Sequence, residues 1–251
     1  MIKNIYYFIA VLLTLSIASC TKSGESAMDN MGMSDGSGRG GSLARFAVVD
    51  DYLYTVDQSN MNVFDISDAN HPKIEKDVNI GWQIETLFPT DSLLYIGAQD
   101  GMYIYSIKDP MRPKFISKYQ HITSCDPVVG RGQYAFVTLS TDSWCGNMTN
   151  QMEVIDLSNI YKPEKLKEYQ MNNPKGLATK GDLLFVCDEG LKVFDASNVN
   201  DIKQIDYFSI EAMDVIALDD VLLVIGSNGL YQYAYSQGND LDLLSHIQVG
   251  N

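Results

Sequence analysis

Ionisable side chains of the kinds used in acid–base and cation chemistry fall at one recurring position of this sequence. The position lies ten residues before an apolar or aromatic residue of a β-rich run, and its occupants are Ala44, Glu85, Asp126, Lys175 and Asp214. On equivalent strands of one ring, the three acids, here called the axial carboxylates, would meet at a channel mouth. They could then bind a cation or hydrolyse glycosides. The alternative that we favour is a solvated funnel of charges.

Other motifs do not indicate an enzyme. The sequence contains no nucleophile elbow, phosphate-binding loop or HExxH zinc motif. The three histidines, His71, His121 and His246, fall at non-equivalent positions of different repeats, which disfavours a shared metal. We therefore expect no metal and no cofactor, and non-enzymatic binding rather than catalysis. The runner-up is a polysaccharide-processing enzyme that uses the axial carboxylates.

A sequence repeat must position these residues. Residues 93–119, LLYIGAQDGMYIYSIKDPMRPKFISKY, have the pattern of three short strands joined by a glycine turn and a proline-bounded turn, and degenerate copies recur. Aligned on one residue of the first run, the copies are spaced by 41, 41, 49 and 39 residues. Strand-only units with a period of about forty residues are typical of propeller blades. The aligned residues, here called anchors, are Tyr54, Tyr95, Phe136, Phe185 and Val224.

Each repeat also begins with an earlier strand, so we predict an all-β fold, a five-bladed β-propeller of four-stranded antiparallel blades. Within a blade the strands are named a to d in chain order. An open array or a sandwich is the competing architecture. The predicted blades span residues 43–80, 81–121, 122–171, 172–210 and 211–251, and the predicted a–b turns are at residues 50–51, 90–91, 130–131, 180–181 and 219–220.

Local signals support this pattern. Glycines are expected in the turns between strands b and c, where short hairpins need positive φ. Aspartates after strand c are expected to accept hydrogen bonds from nearby backbone rather than to bind a metal. Prolines are expected just before strand d, the outermost strand, where a missing N–H is tolerated. These residues are Gly101, Gly190 and Gly229, then Asp65, Asp156 and Asp195, then Pro72, Pro113 and Pro163.

The third repeat carries an insertion and two cysteines. Cys125 follows the d–a connection and Cys145 lies in the enlarged b–c connection. Both connections emerge at one end of a propeller, here called the top face. We therefore predict a Cys125–Cys145 disulfide, worth about 3 kcal/mol, in preference to either pairing with Cys187. Cys187 lies within a strand and is expected to be a small core residue.

The top face is also the predicted binding surface for a protein or a glycan. Exposed tryptophan beside Asn, Asp and Gln suits both kinds of ligand. The alternative is that the tryptophan of the first d–a connection packs between blades. The candidate residues are Trp82, Glu85, His121, Asp126, Trp144, Asn147 and Asp214.

The N-terminus predicts export. Lys3 precedes an uncharged apolar run at residues 5–17, and small residues precede Cys20, which together describe a secretory signal. The end of this segment resembles the bacterial lipobox, which implies a signal peptide at residues 1–19 and lipidation of Cys20. The alternative is an ordinary signal peptide with an incidental cysteine. Residues 20–42 are rich in Gly and Ser, as expected of a flexible tether between lipid and domain.

Charge limits the possible partners. The formal net charge of −14 argues against nucleic acid, whose phosphates require basic side chains. The expected partners are a membrane, through the lipid anchor, and an envelope protein or glycan. Cys20 is followed by Thr rather than Asp, which favours the outer membrane or cell surface. We expect a monomer.

The repeat resembles a known family. Residues 54–57, 183–186 and 222–225, each followed by a turn and a further strand, resemble the LVIVD repeat of bacterial surface lipoproteins. Residues 124–129 with residues 134–139 resemble the lipoprotein branch found in Bacteroidetes-type bacteria. The resemblance implies a propeller-like fold and a surface location, and it implies no established activity.

Overall fold

A computed structural model describes residues 40–120, 127–141, 149–236 and 240–249. In these ranges all regular structure is β-strand, as the repeat pattern predicts, and no helix is long and apolar enough to cross a membrane. The predicted signal peptide and Cys20 lie outside the described residues. The strands are β1 (Phe46–Val49), β2 (Tyr52–Val56), β3 (Asn60–Asp65), β4 (Lys73–Asn79), β5 (Ile84–Pro89), β6 (Leu93–Ala98), β7 (Gly101–Ser106), β8 (Lys114–Tyr119), β9 (Val128–Arg131), β10 (Tyr134–Leu139), β11 (Gln151–Asp156), β12 (Glu164–Gln170), β13 (Pro174–Lys180), β14 (Leu183–Asp188), β15 (Leu191–Asp195), β16 (Lys203–Phe208), β17 (Ala212–Ala217), β18 (Val221–Gly226), β19 (Gly229–Tyr235) and β20 (Leu241–Gln248).

These strands form five antiparallel sheets of four consecutive strands each, from the inner strand a to the outer strand d. The inner strands of successive sheets, β1, β5, β9, β13 and β17, contact one another in that order. The buried apolar side chains form clusters between adjacent sheets, so the core lies between the blades. The predicted five-bladed β-propeller is therefore confirmed.

The anchors identify strand b correctly, but the fifth copy is misaligned by one residue. All five anchors are at most 1% exposed, and burial of each side chain stabilises the fold by about 1.5–3 kcal/mol. Tyr54, Tyr95, Phe136 and Phe185 pack against the following blade, whereas Val224 packs against blade four. Side chains alternate between the faces of a strand, so a slip of one residue reverses the face. The equivalent residue in blade five is Leu223, which lies opposite Ile216.

Two of the predicted a–b turns are displaced. Residues 130 and 131 belong to β9, and the chain turns at Gly132; similarly, Lys180 ends β13 and the chain turns at Gly181. Both glycines adopt φ near +60°, at 58° and 55°, a conformation that other residues adopt at a cost. Gly132 and Gly181 thus mark these two turns more accurately than the residue pairs that were predicted to form them. The three predicted b–c glycine turns are confirmed, with positive φ at each glycine.

The predicted aspartate turns are confirmed. Oδ1 of Asp65, Asp156 and Asp195 accepts a hydrogen bond from the backbone N–H two residues later, over 2.8–2.9 Å. Hydrogen bonding from the following serine lowers the pKa of Asp65 and of Asp195. The predicted prolines stand directly before β4, β8 and β12. These aspartates therefore shape the exit from strand c.

Each blade also carries a bulge between strands c and d that the sequence analysis does not predict. The register shifts at the same place in all five blades, between Val63 and Phe64 in the first and between Ile104 and Tyr105 in the second. A bulge increases local twist and turns an exposed edge away from regular pairing. The five outer strands are thereby less suited to pairing with another sheet.

Cys187 is fully buried in β14, as expected of a small core residue. Burial, reinforced by the nearby Asp214 carboxylate, raises the pKa of its thiol well above the ordinary value. Because the thiolate is the reactive form, we expect native protein treated with iodoacetamide to remain unmodified at Cys187. Mass spectrometry of the peptide containing Cys187 should show modification only after denaturation. Labelling of this peptide at equal rates with and without denaturant would contradict the prediction.

Candidate functional site

The top face, where the d–a and b–c connections emerge, holds the predicted binding residues that the structure describes. These are Trp82, in the connection between β4 and β5, Glu85 in β5 and Asp214 in β17. The remaining predicted residues lie outside the described residues, so the structure gives no placement for Cys125 and Cys145 of the predicted disulfide or for His121, Asp126, Trp144 and Asn147.

The Trp82 side chain is 69% exposed. Its backbone is held on both sides. The N–H of Gly81 donates to Ser59 O over 3.3 Å, and Gln83 O accepts from the N–H of Gln99 over 3.1 Å. Gln83 has φ of 50°, and its buried side-chain oxygen has no hydrogen-bond partner among the described residues. A hydrogen-bonded connection therefore presents the Trp82 indole to solvent.

Asp214 binds the chain's own N-terminal segment, defined as residues 40–44. Its Oδ1 accepts from the Ser42 hydroxyl over 3.2 Å and from the N–H of Val215 over 2.9 Å. Its Oδ2 accepts from the N–H of Leu43 over 3.4 Å. The Ser42 hydroxyl in turn accepts from the N–H of Leu177 in β13 over 2.8 Å. The segment is therefore fastened to the inner strands of blades four and five.

The fit around Asp214 is close. An added Cβ would come within 2.0 Å of its Oδ2 at Gly41 and within 2.1 Å of its Oδ1 at Gly176. Asp214 is only 7% exposed, and this burial raises the pKa of its carboxyl group despite the hydrogen bonds that lower it. Gly41 and Ser42, which the sequence analysis places in the tether, are likewise buried. These two residues thus pack within the propeller.

Asp214 does not share the structural position of Glu85. In blades one to four, each anchor on strand b pairs with the strand-a residue seven positions earlier in the sequence. In blade five it is Leu223, rather than the anchor Val224, that has such a partner. On this register Asp214 is equivalent to Thr86, and Met213 is equivalent to Glu85. Bulges in β5, β13 and β17 fall at the same level and turn these side chains further. Equal spacing from the anchors therefore does not place Glu85 and Asp214 at equivalent positions in the structure.

Glu85 and Lys175 differ from Asp214 in their surroundings. Glu85 is half-buried, and burial raises the pKa of its carboxyl group while Arg45 opposes the shift. Arg45 itself donates from Nη2 to Ile84 O over 2.7 Å, next to Glu85. Lys175 is exposed, and its carbonyl oxygen accepts from the Thr138 hydroxyl over 2.7 Å. Among the described residues no group of three His, Cys, Asp or Glu side chains is arranged to hold a metal ion.

The axial channel contains a cavity of about 630 Å³ toward the opposite end, here called the bottom face. The N-terminal segment contributes Gly40 and Ser42 to its wall, and the ends of the inner strands contribute most of the rest. Lys180 at its mouth donates to Leu218 O over 3.1 Å and lies 4.6 Å from the centre of the Tyr235 ring. This lysine is therefore engaged in joining blades four and five.

Sequence reasoning missed the buried carboxylate of Asp188, at the end of β14. Its oxygens accept from the N–H groups of Asn172 and Asn173 over 3.0 Å and 2.6 Å, and from Nζ of Lys192 over 2.6 Å. These bonds attach the d–a connection before β13 to the end of β14. The available signal was an acid at the end of an entirely apolar strand, immediately before a glycine turn.

The arrangement of the five sheets defines this protein as a five-bladed β-propeller. No family model matches the chain, and no curated protein matches it. Solved structures match in fold alone: a protein from Lactobacillus plantarum (17% identity, TM-score 0.64, 79% of this chain and 69% of that chain) and a functionally unknown protein from Desulfotomaculum acetoxidans (11%, 0.65, 82% and 70%). A third is a periplasmic gluconolactonase from Pseudomonas aeruginosa (13%, 0.61, 80% and 68%).

Proposed function

We propose that this protein is a lipid-anchored surface propeller of the LVIVD-repeat type, whose top face binds a protein or a glycan without catalysing a reaction. The observation that carries the proposal is the exposed indole of Trp82 on a hydrogen-bonded connection. Tryptophan on a rigid scaffold loses little conformational entropy on binding and supplies a large contact area.

The state of Asp214 supports binding over hydrolysis. Its two oxygens are engaged by Ser42, Leu43 and Val215, so this axial carboxylate serves the packing of the N-terminal segment. A glycosidase needs two carboxylates facing one substrate across a gap of about 5–9.5 Å. Asp214 is ill suited to be one of them.

The cellular setting belongs to the same proposal. The lipobox-like sequence at Cys20 and the LVIVD resemblance support a monomer tethered by lipid to the outer membrane or cell surface. A Cys125–Cys145 disulfide would hold the insertion of blade three on the top face. Trp144 and Asn147 of that insertion would then extend the surface around Trp82.

Capture from envelope extracts and a glycan array, both with the full chain, test the top-face proposal. Trp82→Ala should reduce retained ligand about tenfold or more, because aromatic residues central to an interface carry much of its binding free energy. Trp144→Ala should also reduce it. The matched control is Ile74→Ala, which removes another exposed apolar side chain on outer strand β4. Unchanged ligands for both tryptophan variants would remove the top face from the proposal.

The second candidate is a polysaccharide-processing or lactone-hydrolysing enzyme. Glu85 favours it, because burial raises the pKa of this carboxyl group in the direction a general acid requires. The gluconolactonase of similar fold suggests δ-gluconolactone as one probe substrate. Turnover of this lactone or of polysaccharides that Glu85→Gln or Asp126→Asn abolishes would replace the binding proposal.

A further inference from the structure

A second concave site lies on the bottom face, between blades two and three, away from the top face. It is a groove of about 460 Å³. The a–b turns, the connections between strands c and d, and the outer strand β8 supply its walls. Tyr95, Lys108, Lys114 and Tyr161 are among the residues that line it.

The hydroxyl of Tyr95 distinguishes this groove. The Tyr95 side chain is 1% exposed, yet none of the described residues forms a hydrogen bond with its hydroxyl. Its equivalent in blade one, Tyr54, donates to Pro110 O of the next blade over 2.8 Å. The carbonyl equivalent to that of Pro110 is Ile160 O, and it accepts instead from the Ser117 hydroxyl over 2.6 Å. The otherwise buried Tyr95 ring reaches the groove through its hydroxyl, so a ligand hydroxyl can replace water as the hydrogen-bond partner of this group.

The groove also carries positive charge on a strongly acidic chain. Lys108 and Lys114 are exposed, and neither forms an ion pair with any carboxylate of the described residues. The chain as a whole has a net charge of −14, so two unpaired ammonium groups at one groove are a local reversal of sign. Such a site attracts anionic groups and repels cationic ones.

The rest of the lining suits a ligand rich in hydroxyl groups. Ser92, Ser106 and Gln133 can each donate and accept hydrogen bonds, as sugar hydroxyls do. The ring of Tyr161 is 76% exposed, and its electron-rich face can pack against the C–H groups of a pyranose. A flat lipid surface would not enter a concave groove of this kind.

We propose that this groove binds an acidic saccharide, with a uronate carboxylate on Lys108 and Lys114 and a sugar hydroxyl on the Tyr95 hydroxyl. The site is independent of the top-face proposal, since it shares no residue with it. Phosphate-bearing or peptide ligands would use the lysines but would leave the Tyr95 hydroxyl and the exposed ring with less to contact.

Isothermal titration of the full chain in detergent with galacturonic acid tetrasaccharide tests this proposal. Saturable binding is expected, with neutral galactose tetrasaccharide at least tenfold weaker. Tyr95→Phe should weaken binding about fivefold, the loss of one hydrogen bond. Lys108→Gln combined with Lys114→Gln should weaken it about tenfold and flatten its dependence on salt.

Matched variants separate binding from folding. Tyr54→Phe removes the corresponding hydroxyl from the neighbouring interface, so it should lower Tm while the Kd for the tetrasaccharide stays unchanged. Tyr95→Phe should leave Tm unchanged or raise it, because its hydroxyl has no protein partner to lose. Lys76→Gln, on outer strand β4, controls for charge. No binding at millimolar tetrasaccharide, equal binding of the neutral sugar, or a Kd insensitive to Tyr95→Phe would each overturn the proposal.

Discussion

Replacing Asp188 with alanine is expected to lower the free energy of unfolding by about 3–5 kcal/mol, the cost of breaking a buried ion pair from one side. Asp188 is fully buried, and its loss would leave the Lys192 ammonium and the Asn172 and Asn173 N–H groups without their acceptor. Because these groups join the end of β14 to the preceding d–a connection, the variant should loosen the top side of blade four. Urea denaturation followed by circular dichroism measures the loss.

Two further variants show whether the position or the charge matters. Asp156→Ala removes a partly exposed aspartate that accepts one backbone hydrogen bond, and its effect should be much smaller. Lys192→Met keeps both backbone donors to Asp188 and removes only the ammonium, so its loss should fall between the two. A loss for Asp188→Ala no larger than that for Asp156→Ala would refute the structural role assigned to this carboxylate.

Replacing Asp214 with alanine is expected to release the N-terminal segment and to lower the free energy of unfolding by about 2–3 kcal/mol. The Ser42 hydroxyl and the Leu43 N–H would lose their acceptor, and the space between Gly41 and Gly176 would be unfilled. Limited proteolysis should then cut at residues 40–44 faster than in the wild type. Asp214→Asn keeps one acceptor oxygen and the side-chain volume, so it should cost less than about 1 kcal/mol.

The stability that the contacts between Asp214 and the N-terminal segment contribute depends on pH in a definite direction. Burial raises the pKa of Asp214 above its ordinary value of 3.8, so the folded protein binds this proton more tightly than the unfolded chain does. The stabilisation is complete below pH 3.8 and is lost as pH rises through the raised pKa. Wild type should therefore lose stability relative to Asp214→Asn over that interval. Denaturation midpoints of the two proteins that run parallel across this range would contradict the assignment.

Much of the fold could be predicted because it is encoded locally and repeated. Apolar runs bounded by turn residues specify strands, and a period of about forty residues specifies blades. Asp65, Asp156 and Asp195 act through the backbone two residues later, so their role follows from sequence neighbours alone. Four of the five anchors were correctly aligned for the same reason. The slip at Val224 arose because an additional apolar residue precedes the double leucine of β18, and sequence identity could not show which leucine begins the pairing.

Residues that act across the ring could not be predicted in this way. Ser42 and Asp214 are 172 residues apart in the sequence. The hydrogen bond between them forms only when the N-terminal segment packs against blades four and five. Tyr54 and Tyr95 occupy one position of the repeat, yet only Tyr54 finds a carbonyl partner, because Ser117 takes the corresponding one in the next interface.

The sequence by itself thus determined the strands, most of the turns and the number of blades, since these depend on residues close together in the chain. Tertiary structure alone decided which carboxylates are used internally, as Asp188 and Asp214 are, and which surfaces remain available, such as Trp82 and the groove at Tyr95. The physical reason is that a hydrogen bond or a cavity between blades depends on the register of two sheets at once. A single side chain can therefore be paired in one interface and available to a ligand in the next.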